Sequence, residues 1–509
     1  MNNISRRDFL KLLKLVPLAG FLHPLQNMIT APASSNGSNI IILVFDAWSA
    51  LHLPLYGYPR DTMPNVEAFA KNAMIYHNHC SAGTFTVPGT ASILTGLYPW
   101  SHRALQLYGT IIRTQSTHHM FSALRQSDST LAYTQNKWAD LIVDQARQDI
   151  DTYIKSGSFD LDQPIYEAPF FKNDSLAAFS SLEHEGSSLF INPIMGLWQA
   201  RTRFWEELRY KDTYPHGLPD DINGLYTLKD VVDGAIDTLK KIKQPTFAYL
   251  HFYPPHDPYN PTAEFLEKFS GDGLQQIQKP IHPLAFRADR YSTAQKVRRY
   301  YGQAEEMRLR YDQFLASWDA EVSRLFDFLS SSGLVANSYI FATSDHGEIF
   351  ERGEIGHFTR LIFEPLIHVP LLVSVPGGKG RQDVYTRTSN VDLLPTLAYL
   401  TNNSIPSWAE GSLLPGLGGV DDPKRSVFVL DAKQNSSFEP LTQFSASLTK
   451  DTFRLTHYAY PNNQRFEFYN LAEDPDELHN LYGQANDIMQ PMKDELLNKL
   501  SEADQLYKK

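Results

Sequence analysis

The sequence predicts an α/β fold built on a doubly wound, mostly parallel sheet, and three observations carry that expectation. A continuous apolar, β-branched run from Asn39 to Phe45 (NIIILVF) ends at Asp46, the pattern of a strand buried on both faces. Further apolar strands alternate with segments whose apolar residues recur at helical spacing. The chain has 509 residues, 42% of them hydrophobic and 20% charged, enough for one large α/β domain with a smaller companion, or for three domains of about 150 residues.

The elements follow in chain order. Ser5-Arg6-Arg7-Asp8-Phe9-Leu10-Lys11 runs into an apolar stretch from Leu12 to Leu25, then Ala31-Pro32-Ala33 and a polar linker from Ser34 to Ser38. That is a secretory layout, and the paired arginines match a twin-arginine export signal. Residues 1–38 are therefore expected to be a signal peptide and linker read by the twin-arginine export machinery, which predicts a periplasmic or other extracytoplasmic location. Pro32, beside the expected scissile bond, leaves an uncleaved membrane anchor as the alternative.

Residues 39–400 are expected to carry the main sheet and the chemistry. Pro64 to Ala73 places Val66, Phe69, Ala70 and Ala73 on one helix face, and Ala91 to Leu97 reads as a second helix opening after Pro88-Gly89. Val232, Ala235, Ile236 and Leu239 mark a helix before the strand Thr246 to Phe252. Val322, Leu325, Phe326 and Leu329 mark another, closed by Gly333 and followed by the strand Ser338 to Thr343; Ile367 to Val375 reads as a further strand. Residues 401–509 read as a smaller α+β subdomain: strand-like pieces at Val427 to Leu430, Phe453 to His457 and Phe466 to Tyr469, then a charged helix from Asn486 to Glu502. The aromatic-rich stretch from Phe170 to Trp205, with Phe190 and Trp198, reads either as core or as a roof over the pocket.

Composition excludes several classes. Forty-six basic against fifty-seven acidic residues leave a net charge of −11, and a pI near 5.9 argues against a nucleic-acid binder. A mean hydropathy of −0.34, with the one long apolar stretch at the N-terminus, excludes a multi-pass membrane protein. The single cysteine, Cys80, allows neither an intrachain disulfide nor a cysteine-based zinc site.

Chemistry-bearing residues cluster at the ends of predicted strands. Asp46 ends the first strand, where open α/β sheets bind ligands. Thr86 lies in TFTVPGTASILTGLYP, a loop feeding a helix N-terminus and so a natural place for an anion. Asp345 and His346 lie in SYIFATSDHGE, just past another strand. Taken singly, such residues read as a helix cap, a turn residue and a hydrogen-bonded histidine. Together, two carboxylates, an imidazole and a hydroxyl can close around one divalent cation, which would lower the pKa of the threonine hydroxyl and polarise a bound oxyanion. Mn²⁺ and Zn²⁺ suit a histidine-containing set best, with Ca²⁺ or Mg²⁺ as the all-oxygen alternatives.

These motifs resemble the sulfatase-like branch of the alkaline phosphatase superfamily over nearly the whole chain after the leader. The carriers are Asn39 to His102, including Tyr56-Gly57, Pro64-Asn65 and LTGLYP; Asn136-Lys137-Trp138-Ala139 where the family has Gly-Lys-Trp-His; Pro255-His256-Asp257-Pro258-Tyr259; Thr343 to Glu348; NVDLLPTL; and FYNLAEDPDELHNL. The resemblance implies Asp46, Thr86, Asp345 and His346 as metal ligands, and Thr86 as nucleophile. It also implies His256 as donor to the leaving oxygen, and Lys137, His256 and His357 as substrate contacts. His357 stands where the family often has lysine and is open to a ligand role as well. Thr84 is the nucleophile if the loop register slips by two.

The departures redirect the chemistry. A sulfatase carries Cys or Ser, converted to formylglycine, where this chain has Thr86; Cys80 is out of register. The family's arginine is Thr90, its second aspartate Ala47, its histidine Ala139. Formylglycine hydrate expels sulfate by collapsing to the aldehyde, whereas a threonine ester is released only by a second attack on the central atom, the route of phosphoryl transfer. The expectation is an exported, metal-dependent enzyme acting on small-molecule or envelope-derived phosphate esters, as hydrolase or phosphoryl-group transferase. A sulfatase working without formylglycine on sulfate esters is the first alternative, and a catalytically silent sugar- or lipid-binding homologue the second.

Overall fold

The computed structural model describes residues 37–124, 129–161, 191–221, 224–274, 277–285, 288–291, 293–461 and 463–507. The twin-arginine segment, Phe170 and Phe190 lie outside the described residues, as does the side chain of Trp198.

The elements that frame the site are, in chain order, β1 (Asn39–Phe45), α1 (Pro64–Ala70), β2 (Met74–Tyr76), β3 (His79–Cys80), α2 (Thr86–Thr95), β4 (Ser129–Thr134), α3 (Lys137–Asp144) and β5 (Thr152–Ile154). They continue with α4 (Ile191–Tyr210), α5 (Leu228–Leu239), β6 (Thr246–Phe252), α6 (Ala294–Ser331), β7 (Ser338–Thr343), β8 (Leu371–Ser374), β9 (Gln382–Val384), β10 (Thr388–Ser389) and α7 (Leu393–Leu400). Strands β11 (Ser426–Asp431), β12 (Phe444–Lys450), β13 (Phe453–Tyr460) and β14 (Asn463–Asn470) and helix α8 (Asn486–Asp504) complete the chain.

Eight strands form the main sheet in the order β5-β4-β6-β1-β7-β8-β2-β9. From β5 to β7 all pairs are parallel; β8 runs antiparallel to both neighbours, and β2 pairs with β9 in parallel. The mostly parallel sheet is as the sequence predicts. β1 lies between β6 and β7, so the strand whose apolar run opens the fold is its innermost one. Its alternation explains why no polar residue interrupts it. Ile41, Leu43 and Phe45 pack with α5 and α6 residues such as Leu239, Tyr311, Trp318 and Leu325. Ile40, Ile42 and Val44 face the other way, toward Val87, Ile93 and Leu94 of α2, Ile142 of α3 and Leu397 of α7. Each such side chain removed from water stabilises the fold by about 1.5–3 kcal/mol.

Several boundaries differ from expectation, for local reasons. α2 opens at Thr86 and not after Pro88-Gly89, because Pro88 falls in the first turn, where its missing N–H has no partner to lose. α1 stops at Ala70. Asp319 of α6 caps it from outside, its carboxylate accepting the N–H groups of Asn65 and Val66 at 2.9 and 3.0 Å. The apolar run Ile367 to Val375 splits into a helical turn ending at Ile367 and the short β8. β4 and β12 were not expected. The C-terminal strands form one antiparallel sheet, β11-β12-β13-β14, with α8 packed through Met489, Met492, Leu496 and Leu500. Trp205 of α4 is 55% exposed, which places its ring outside the core.

Candidate metal and nucleophile site

The carboxyl ends of four adjacent parallel strands meet at one point. β1 delivers Asp46, β7 delivers Ser344-Asp345-His346, β6 delivers His251 from its penultimate position, and β4 delivers Asn136 two residues past its end. The loop after β3 supplies the fifth group, Thr86 at the first turn of α2. Asp46, Asp345 and His346 are fully buried, and each offers a ligand atom within 4.8 Å of those of the other two.

Hydrogen bonding divides each carboxylate in two. Asp345 Oδ1 accepts the His346 N–H at 3.0 Å and the Ala47 N–H at 3.4 Å. Asp46 Oδ2 accepts from Asn136 Nδ2 at 2.5 Å and lies 3.3 Å from His251 Nε2. The other oxygens, Asp46 Oδ1 and Asp345 Oδ2, are buried and have no hydrogen-bond partner. Ala47 takes a left-handed conformation, φ 59°, turning the chain sharply after Asp46. It occupies the second-aspartate position of the resemblance, so its backbone contributes there and no second carboxylate does.

Imidazoles face those oxygens. His346 Nδ1 donates to the Gly347 carbonyl at 2.8 Å, leaving Nε2 toward the pocket, 3.2 Å from Asp46 Oδ1, 3.8 Å from Asp345 Oδ2 and 3.4 Å from Thr86 Oγ1. Two unpartnered carboxylate oxygens, an imidazole nitrogen and a hydroxyl converging in a buried pocket fit a divalent cation, since buried charge is otherwise paired or neutralised. His251 is a member of this site that sequence reading missed. Its Nε2 stands 3.7 Å from Asp345 Oδ2, and its Nδ1 3.1 Å from the Tyr249 hydroxyl.

His256 and His357 form one wall. Their ring centroids are 4.6 Å apart, and His357 lies 4.4 Å and His256 6.4 Å from the His346 ring. His256 Nδ1 is held by the Asp257 carbonyl at 2.7 Å, and His357 Nδ1 by Glu348 at 3.1 Å. Together with Asp257 they form a second group whose ligand atoms lie within 4.8 Å of one another. Lys137 opens α3, and its ammonium lies 5.6 Å from the Trp138 ring; its neighbour Asn136 is the residue that reaches Asp46 and Thr86. Thr84 faces elsewhere, donating its hydroxyl to Asp431 Oδ2 at 2.6 Å, so the hydroxyl brought to the carboxylates is that of Thr86.

Charge is concentrated accordingly. Burial works against the Asp46 carboxylate, yet His256, His251 and His346 hold its pKa well below the usual range. Asp345 is pushed up by burial and by the Asp46 charge. His346 is pushed up to about 9, the cost of burying its cation being outweighed by Asp345 and Asp46. His256 also rises, against burial, through Asp257, Asp46 and Glu348. His357 is driven well below the ordinary range by burial and by the neighbouring histidines. Glu348 is raised to about 8, chiefly by burial.

Comparison with known proteins agrees with this frame. The sulfatase family model matches residues 38–403, and the model of the N-sulphoglucosamine sulphohydrolase C-terminal region matches residues 353–505. An ulvan-active sulfatase of Formosa agariphila is 24% identical over 91% of this chain and 80% of its own. A multifunctional alkaline phosphatase superfamily protein of Trinickia caryophylli is 22% identical over 87% and 91%. Among solved structures, a phosphonate monoester hydrolase from Silicibacter pomeroyi superposes with a TM-score of 0.65 at 18% identity, covering 92% of this chain and 96% of that one. The chain belongs to the sulfatase family, and it is a sulfatase-like ester hydrolase of the alkaline phosphatase superfamily.

Proposed function

We propose that the protein is an exported, metal-dependent enzyme that transfers the phosphoryl group of a phosphate ester to Thr86 and then to water or to an acceptor alcohol. The observation that carries the reading is the position of Thr86 Oγ1. It is a hydroxyl at a helix start, 3.4 Å from His346 Nε2 and beside two buried carboxylate oxygens that accept no hydrogen bond. Asp46, Asp345 and His346, with Thr86 as fourth ligand, would hold the cation. When bound it would lower the pKa of the Thr86 hydroxyl and neutralise charge on the ester's oxygens. The single nitrogen favours Mn²⁺ or Zn²⁺.

The chain's own groups account for the rest. Thr86, its hydroxyl proton already released to solvent, forms the bond from Oγ1 to phosphorus as the bond to the alcohol oxygen breaks, and it departs later as the same alkoxide. His256, whose pKa Asp257, Asp46 and Glu348 raise against burial, gives its proton to that oxygen. Water or an alcohol then attacks phosphorus, gives its proton to His256, and Thr86 departs. His357 and Lys137 are proposed substrate contacts, His357 as a neutral imidazole. The paired arginines before the N-terminal apolar stretch support export to the periplasm. A second reading, cleavage of sulfate esters, is favoured by the relative named as an ulvan-active sulfatase.

Turnover of aryl phosphate, aryl phosphodiester, phosphonate monoester and aryl sulfate by the metal-loaded protein and by Thr86→Ala separates the readings. Phosphorus esters should be hydrolysed, and Thr86→Ala should lose at least about a thousandfold, roughly 4 kcal/mol in barrier. Sulfate preferred by more than about a hundredfold would overturn the phosphoryl-transfer reading.

A further inference from the structure

We propose that Asn136 is a positioning residue that ties the nucleophile to the metal ligands: its amide fixes which Asp46 oxygen faces the cation and holds the Thr86 hydroxyl beside it. The inference rests on reading Thr86 as the nucleophile. Asn136 sits at the N-cap of α3, and its Oδ1 accepts the Trp138 N–H at 2.8 Å. That contact settles the orientation of the amide, because a flipped group would turn NH₂ toward an N–H. Nδ2 is thereby aimed into the site. It donates to Asp46 Oδ2 at 2.5 Å and to Thr86 Oγ1 at 3.3 Å. One NH₂ with two hydrogens satisfies both acceptors.

Two consequences follow. Asp46 Oδ2 is occupied, since His251 Nε2 also lies 3.3 Å from it and is itself oriented by the Tyr249 hydroxyl at 3.1 Å; only Oδ1 is left for a cation. Thr86 Oγ1 must present a lone pair to Asn136, which fixes the rotation of the hydroxyl about its carbon and directs its remaining electron density into the pocket. An amide does this without bringing a charge that would repel a cation. The group stands on rigid support. Gln135, next to it, donates its N–H to the His251 carbonyl at 2.8 Å, extending the β4–β6 pairing to the edge of the site.

The test separates capping from positioning. Asn136→Ser keeps a good N-cap, but its short side chain cannot reach Asp46; Asn136→Ala removes both functions. Three readouts are taken on the full chain: Mn²⁺ affinity by calorimetry without ester, kcat and KM for an aryl phosphate, and Tm. Asn136→Ser should keep the wild-type Tm, lose about 10–100-fold in Mn²⁺ affinity, and lose kcat at saturating Mn²⁺ with little change in KM. Mn²⁺ affinity of Asn136→Ser within about threefold of wild type, with only Asn136→Ala impaired, would overturn the proposal and leave Asn136 a helix cap. The Mn²⁺ measurement needs no turnover, so it decides the role of Asn136 even if the wild-type protein hydrolyses no phosphorus ester and the reading of Thr86 fails.

Discussion

Asp46 and Asp345 meet one requirement by the same device: the protein satisfies one oxygen of each with N–H groups and leaves the other bare. His346 Nε2 faces both of the remaining oxygens, and Asp345 and Asp46 push its pKa up to about 9 against burial. A cation bound through that Nε2 must expel the proton. Between about pH 6 and 9 Mn²⁺ affinity should therefore climb with pH and level off above it, with about one proton released per ion at pH 7. Calorimetry in buffers of different ionisation enthalpy measures that release; pH-independent binding would contradict it. Asp46, Thr86, Asp345 and His346 were legible in the sequence because each stands just past an apolar run or just before a helix, where a polar residue has no packing role. His251 and Asn136 were not. His251 sits inside the run TFAYLHF, where a single imidazole looks like a core histidine, and Asn136 carries the signature of an ordinary N-cap. Both gain their role from neighbours more than 40 residues away in the chain.

At the level of elements, the contact between α2 and the loop after β7 controls the site. A Cβ added at Gly89 would lie 2.2 Å from the Asp345 carbonyl oxygen and 3.2 Å from the Asp345 Cβ, a clash with backbone that only movement of the helix relieves. Gly89→Ala should therefore separate Thr86 from Asp345 and His346. We expect at least a hundredfold loss in both Mn²⁺ affinity and turnover, roughly 2.7 kcal/mol on each, measured by calorimetry and steady-state kinetics. The same Pro88-Gly89 pair misleads a reader of the sequence, since it looks like a break before the helix when it is the helix's first turn. β8 illustrates a different limit: an apolar run says that a strand is buried and nothing of its direction, so its antiparallel pairing with β7 was not legible. α6 is 38 residues long and buries residues from Tyr300 to Leu329, yet only the apolar period from Val322 to Leu329 was legible, because charged and polar side chains alternate with the buried ones before it.

Across the whole molecule, the two sheets are joined by buried charge. Arg454 of β13 is wholly buried, paired with Glu477 at 3.0 Å and with Glu364, which lies in the helical turn before β8. Replacing it by methionine strands two carboxylates and should cost about 3–5 kcal/mol of stability, read as a fall in the urea midpoint. Burial opposes the Glu364 charge, but Arg454 and His368 hold its pKa well below the usual range. Its contribution is thus present above about pH 4.3, where the unfolded carboxyl titrates, and is lost as the pH drops through the lower folded value, so the wild-type protein should lose stability in acid more steeply than Glu364→Gln. The central position of β1 has a further consequence for how the chain is made. Its neighbours in the sheet are residues 246–252 and 338–343, so a ribosome adding about 5–20 residues per second leaves NIIILVF without its second partner for about 15–60 seconds. For about the first 10–40 seconds of that interval, until residues 246–252 are made, this wholly apolar strand has no native edge to join, the situation in which nascent chains aggregate. Synthesis of this chain should accordingly depend on chaperone holding far more than its finished stability would suggest, and slowing translation should lower, not raise, its soluble yield.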